Sequence, residues 1–214
     1  MFDVEQGMQE ISRCLYDGDA PGVVEGVRRA LAGADAAPEE ILRKGLLAGM
    51  ARVGEDFQAG ELFVPELIVA ARAMHAGLDE LRPHLAGTAA RPLGTIVIGT
   101  VKGDLHDIGK RLVGIMMEGA GLRVVDLGHD VPPERFVEAA RAEAAELVGL
   151  SALLSTTMSM MRTTLDALRG ADLPARVLVG GAPLSGAFAD EIGADGYARD
   201  AVAAAALARE LLER

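Results

Sequence analysis

Tryptophan is absent from this 214-residue chain, and two Tyr and five Phe leave aromatics at only 3% of residues. Half of the residues are nonetheless hydrophobic, so the core must be built from Ala, Val, Leu, Ile and Met. Cysteine is nearly absent as well. The single Cys14 excludes an internal disulfide and any Cys-rich zinc or iron–sulfur site. At helical spacing with Met8, Ile11 and Leu15, it reads as a small core residue. Positive charge is in deficit, with 21 Lys and Arg against 32 Asp and Glu and a net charge of -11. Such a surface repels phosphate backbones and anionic lipid, which makes nucleic acid and membrane poor partners. No uncharged apolar stretch reaches the ~18 residues that span a bilayer. The start, Met1-Phe2-Asp3-Val4-Glu5, has neither the basic flank nor the apolar run of a signal peptide. A soluble cytoplasmic protein is expected, long enough for one large domain or two small ones.

What is present divides the chain in two. Up to about residue 87 the period is helical. Met8, Ile11, Cys14 and Leu15 mark a first stripe, and Asp17-Gly18-Asp19-Ala20-Pro21 ends it and caps a second helix running to about Ala32-Gly33. Ala37-Pro38-Glu39-Glu40 places proline and acids in a first turn, followed by the stripe Ile41, Leu42, Leu46, Met50 and Val53. A fourth helix is predicted over roughly Val64 to Leu81, with Leu67, Ile68, Ala71, Met74 and Leu78 on one face. Four short helices with short loops imply a bundle over 1–87. Residues 88–93 lose the periodicity and read as a linker. From 94 to 214 the pattern becomes strand, helix, strand, helix. Strands are predicted at Thr95 to Thr100, Arg123 to Leu127, Leu147 to Leu150, Arg176 to Val179 and around Gly196-Tyr197, with a last helix from Asp200 onward. That alternation argues a doubly wound, five-stranded parallel sheet of α/β class.

In a sheet of flavodoxin-like order 2-1-3-4-5, ligands sit at the carboxyl ends of the strands, at the switch between strands 1 and 3. The chemistry-bearing residues of this sequence follow those strands. Asp104-Leu105-His106-Asp107-Ile108-Gly109 follows strand 1, and Ser151-Ala152-Leu153-Leu154-Ser155-Thr156-Thr157 follows strand 3. Gly180-Gly181 follows strand 4, and Tyr197-Ala198-Arg199-Asp200 follows strand 5. A carboxylate two residues before a histidine suits a histidine held as a ligand, its second ring nitrogen fixed by the carboxylate. Paired glycines leave room for something flat or bulky to approach the main chain. Each piece alone also has a structural reading, as a helix cap or a turn.

Asp104, His106 and Gly109 form a D-x-H-x-x-G element that resembles the cobalamin-binding module of methionine synthase. The chain as a whole most resembles the stand-alone corrinoid proteins of methylamine, methanol and betaine-type methyltransferase systems. Ser151 and Ser155 match the family's serine and a hydroxyl four positions on, Gly180 and Gly181 match its glycine pair, and Thr157 takes the place of a third hydroxyl, with Thr156 as the alternative. Phe57 and Val64 fall where the family's helical cap has a Phe and a branched aliphatic residue shielding a methyl group. The resemblance implies a cobalamin, as methylcobalamin and cob(I)alamin or a related corrinoid, whose nucleotide tail has left cobalt. His106 would be the lower axial cobalt ligand, with Asp104 and Thr157 as its catalytic relay, taking up a proton when the metal is released. Cofactor contacts would come from Asp104, His106, Asp107, Ile108, Gly109, Ser151, Leu153, Ser155, Thr156, Thr157, Gly180, Gly181, Tyr197, Phe57 and Val64. The implied role is a methyl-carrying subunit, not catalytic alone. It would be served by a substrate:corrinoid methyltransferase, a corrinoid:acceptor methyltransferase of coenzyme M or tetrahydrofolate type, and a reductive activator.

Three rival readings can be weighed on residues. A phosphate loop at Gly103 to Lys110 fails, because five residues rather than four separate the glycines and Arg111 stands where Ser or Thr is needed. A bare metal site would use His106, Asp104, Asp107 and the pair His129 and Asp130, but the last two follow strand 2, away from the switch point. A cobalamin sensor or an adenosylcobalamin mutase module shares the D-x-H-x-x-G element. The acidic charge, the bundle at the start of the chain, and Phe57 with Val64 argue against those.

Overall fold

The computed structural model of the protein describes residues 4–33, 36–85 and 92–213. The chain divides into two compact units, Met1–Arg91 and Pro92–Arg214. Of the expected linker, residues 88–91 lie outside the described residues.

The first unit is helical: α1 is Val4–Tyr16, α2 is Ala20–Ala32, and α4 is Val64–Leu85. Between α2 and α4, Pro38–Glu40, Ile41–Leu47 and Ala48–Ala59 run on as one helix, α3, whose middle segment is π-helical. The sequence period predicts α-helix throughout. The wider turn instead lets Ile41 and Leu46, five residues apart, both reach full burial. They join Ile11, Leu15, Val27, Met50, Val53, Leu67 and Met74 in the interior. Ile68, expected on the buried face of α4, is exposed instead, because the inward stripe runs through Leu67, Ala70, Ala71 and Met74. Asp19 Oδ1 accepts the Gly22 N–H at 3.0 Å and starts α2. Gly60, in the left-handed region at φ 79, ends α3.

The second unit is a five-stranded parallel sheet in the order β2-β1-β3-β4-β5. Its strands are β1 Thr95–Thr100, β2 Arg123–Asp126, β3 Leu147–Ser151, β4 Arg176–Gly180 and β5 Gly196–Ala198. The connecting helices are α5 Ile108–Gly119, α6 Pro133–Ala142, α7 Met158–Gly170, α8 Gly186–Ile192 and α9 Ala201–Glu213. Helix α5 packs with α9, and α6 with α7, so both faces of the sheet are covered. That is why the central strands read as nearly continuous apolar runs. Val97, Phe136, Val148, Leu150, Met161, Leu165 and Val179 form one buried layer.

Register places the site. Thr100 pairs with Ser151, Ser151 with Gly180, and Gly180 with Ala198, one row across the carboxyl ends of four strands. The loops after β1, β3 and β4 therefore leave the sheet along a single rim.

Candidate functional site

The loop after β1 is built around one carboxylate. Asp104 has 0% exposure. Its Oδ1 accepts the His106 backbone N–H at 3.1 Å and lies 2.8 Å from His106 Nδ1. Its Oδ2 accepts the backbone N–H groups of Leu153 at 2.8 Å and Leu154 at 3.1 Å, and the Thr157 hydroxyl at 2.7 Å. Burial alone would push this carboxyl up. The donors from Leu153, Thr157 and His106 outweigh it and hold the group well below the usual aspartate range. An ionised carboxylate only accepts, so the ring proton of His106 belongs on Nδ1. The lone pair is then left on Nε2, on a side chain that is 51% exposed. The Thr100 hydroxyl donates to the His106 carbonyl at 2.9 Å and fixes the backbone behind the ring.

Thr157 is the hydroxyl that reaches Asp104. It ends a short 3-10 turn, Ser155–Thr157, and is buried, whereas its neighbour Thr156 is exposed and makes no bond to the carboxylate. The Thr157 hydroxyl also lies 2.8 Å from the Leu154 carbonyl, so its one proton serves two acceptors. Ser151 ends β3 half-buried, and Ser155 is exposed at the start of the turn.

Around this polar centre the rim is apolar and open. Leu105, Ile108, Leu153 and Leu154 all stand exposed, Ile108 at 74%. A Cβ at Gly109 would meet nothing within 4 Å. Gly181, at φ 141, passes so close to the chain that a Cβ there would sit 1.8 Å from the Ala152 carbonyl oxygen. Gly180 lies beside the Ala198 carbonyl. Asp107 precedes α5 and pairs with Arg111. Tyr197 is half-buried, with its hydroxyl donating to the Leu184 carbonyl at 3.1 Å and its ring against the sheet core. Phe57 and Val64 belong to the helical unit, either side of the α3–α4 turn, and both are half-buried.

Three features were not anticipated from sequence. Leu154 contributes a second backbone donor to Oδ2 of Asp104. Lys110, considered above for a phosphate loop, is instead buried and ion-paired with Asp126 at the end of β2. Asp130, read as part of a remote loop, accepts the Gly103 N–H at 2.7 Å. The legible signal for Asp130 was an Asp in a short strand-to-helix loop, where that residue tolerates left-handed backbone.

The donor set is informative. Among the described residues, no group of three or more His, Cys, Asp or Glu could hold a metal ion. A single imidazole Nε2 beside an exposed apolar rim fits a metal that brings its remaining ligands with it, in a broad and largely apolar chelate. A corrinoid is such a group.

The B12 binding domain model matches residues 94–206, and a second B12 binding domain model matches residues 8–82. Dimethylamine corrinoid protein 3 of Methanosarcina acetivorans is 44% identical over 214 residues, 99% of this chain and 100% of its own. Trimethylamine corrinoid protein 1 of Methanosarcina mazei is 40% identical over 94% of each chain. Among solved structures, the methanol:cobalamin methyltransferase complex MtaBC from Methanosarcina barkeri matches with a TM-score of 0.88 at 28% identity, covering 97% of this chain and 80% of the other. With both units matched and identity of this order along the whole length, the chain belongs to the B12-binding corrinoid proteins, and its cofactor is a corrinoid.

Proposed function

We propose that the protein carries a methyl group on the cobalt of a corrinoid, between a methyltransferase that takes the group from a substrate and a second that passes it to an acceptor. The observation that supports this best is the single projecting Nε2 of His106, backed by a buried and fully hydrogen-bonded carboxylate. When bound, the corrinoid supplies a cobalt centre that gains and gives up a methyl group. His106 would hold that metal through Nε2, in place of the cofactor's own nucleotide base. Asp104 fixes the tautomer and the ring's orientation by accepting a hydrogen bond from its Nδ1–H. The proton stays at Nδ1 while Nε2 is engaged, and Thr157 steadies the other carboxylate oxygen. Gly109, Gly180, Gly181, Ser151 and Ser155 are the proposed contacts for the rest of the cofactor. Phe57 and Val64 are proposed to shield the transferred methyl group.

The relatives' names point to methylamines or methanol as the class of donor. The proposed acceptor enzyme is of coenzyme M or tetrahydrofolate type, with a reductive activator. In this reading the protein acts as a carrier served by those partners. The test is the absorption spectrum of the protein after incubation with hydroxocobalamin and desalting. Retained cobalamin with a histidine-ligated, base-off spectrum that changes in His106→Ala supports the reading. Loss of all cobalamin on desalting would end it.

A further inference from the structure

The loop after β2 does more than connect. The parallel pairing of β1 and β2 continues past the strands through a bridge between Val101 and Val131, with Thr100 N–H on the Gly128 carbonyl and Val131 N–H on the Thr100 carbonyl. Within that loop, Asp130 adopts φ 54, one of few non-glycine residues here in the left-handed region. The conformation lets it act twice. Its Oδ1 accepts the Gly103 N–H at 2.7 Å, and its own N–H donates to the Asp104 carbonyl at 3.0 Å. Gly103 is itself left-handed, at φ 86. The turn that delivers Asp104 is thus closed from outside by one residue gripping the peptide groups on both sides of the Gly103–Asp104 bond. The same loop also holds the far end of the histidine segment, since Asp126 pairs with buried Lys110 and accepts the Gly128 N–H.

We infer that Asp130 is a positioning residue for the axial histidine, acting through the Gly103–Asp104 backbone. The inference rests on the corrinoid-carrier reading for its consequence at the metal, but its first effect is on the protein alone. If the turn loosens, the Asp104 carboxylate no longer meets both His106 donors and the Leu153 and Leu154 amides together, and the ring loses its fixed tautomer. Strain of this kind at a site persists where the surroundings determine it, and here the surroundings are two identifiable hydrogen bonds.

Three substitutions separate the contributions. Asp130→Asn keeps a side-chain acceptor and tolerates the left-handed backbone. Asp130→Gly keeps the backbone freedom and loses the acceptor. Asp130→Ala loses both. In the cobalamin-loaded, Co(II) protein carrying nitrogen-15 histidine, a superhyperfine doublet in the electron paramagnetic resonance spectrum reports histidine ligation, as distinct from the triplet given by the cofactor's own base. The expected result is wild-type splitting in Asp130→Asn, and a ratio of ligated to unligated cobalt lowered roughly fivefold in Asp130→Gly, the worth of one hydrogen bond, with Asp130→Ala lower still. In the cofactor-free protein at alkaline pH, nitrogen-15 shifts of His106 should show the Nδ1–H tautomer in wild type and Asp130→Asn, and a mixture in Asp130→Gly. An Asp130→Gly protein with the wild-type tautomer overturns the inference. A wild type that retains no cobalamin would instead overturn the carrier reading, and the tautomer measurement would still decide the role of Asp130.

Discussion

Asp104 concentrates the hydrogen bonding of the candidate site at a single side chain. Five donors converge on its two oxygens, so an amide in its place turns an N–H₂ toward donors whichever way it is oriented. Asp104→Asn should cost about 3 kcal/mol in urea unfolding. The pH dependence follows from the direction of the shift. The folded carboxyl is held below its usual value of 3.8, so the unfolded chain binds the proton more readily. Its contribution is complete above that value and drains away as pH falls below it. The acid limb of the wild-type stability profile, below about pH 4, should accordingly flatten in Asp104→Asn. Thr157 supplies a smaller increment. Thr157→Val removes the hydroxyl at nearly constant volume and should cost about 1–2 kcal/mol, with Thr157→Ser recovering most of it. The histidine, the aspartate and the candidate hydroxyls were legible in sequence because residues two apart after a buried strand share a loop. The choice of Thr157 over Thr156 came from the family resemblance, not from any spacing in the sequence. In the structure it depends on the 3-10 turn, which buries one hydroxyl and exposes its neighbour.

At the level of elements, close packing sets the rim in place. Gly99 in β1 lies against Phe136 of α6, and a Cβ there would stand 2.6 Å from the ring's Cζ. Phe136 is fully buried, so the ring has nowhere to retreat. Gly99→Ala should destabilise the second unit by about 2–3 kcal/mol, and Gly99→Ala with Phe136→Leu should be milder than the two changes summed. A thermal-melt double-mutant cycle checks this, and strict additivity would show that the two residues are not coupled. The strands and their parallel class were readable from alternation and apolar runs, since a parallel sheet buries both faces; the order 2-1-3-4-5 was supposed by analogy with flavodoxin-like sheets, and the strand pairing has that order. The π-helical segment of α3 was not readable. A period-3.6 pattern with one extra residue between Ile41 and Leu46 reads as a slightly irregular α-helix, and only the packing of both side chains inward makes the wider turn favourable. The Lys110–Asp126 pair escaped for a related reason. A lysine in the first turn of a helix reads as surface charge until the neighbouring strand end is known to carry its partner.

For the molecule as a whole, the decisive property is what cofactor binding does to a chain of two compact units. No helix among the described residues is long and apolar enough to cross a membrane. The exposed Leu105, Ile108, Leu153 and Leu154 are an apolar surface with a cost in water, and a corrinoid covering it, as proposed, would stabilise the folded state by mass action. At a hundredfold excess over Kd the gain is about 2.7 kcal/mol. Hydrogen exchange, followed peptide by peptide with and without bound cobalamin, resolves where that gain is felt. Slowing at 104–109 and 153–157 is expected from the geometry of the rim. Phe57 and Val64 make a separate demand. If they shield the methyl group as proposed, amides across 57–64 must slow as well, and Phe57→Ala should erase that protection while leaving 104–109 unchanged. Protection confined to the second unit would remove both residues from the site and leave methyl shielding to the partner enzymes.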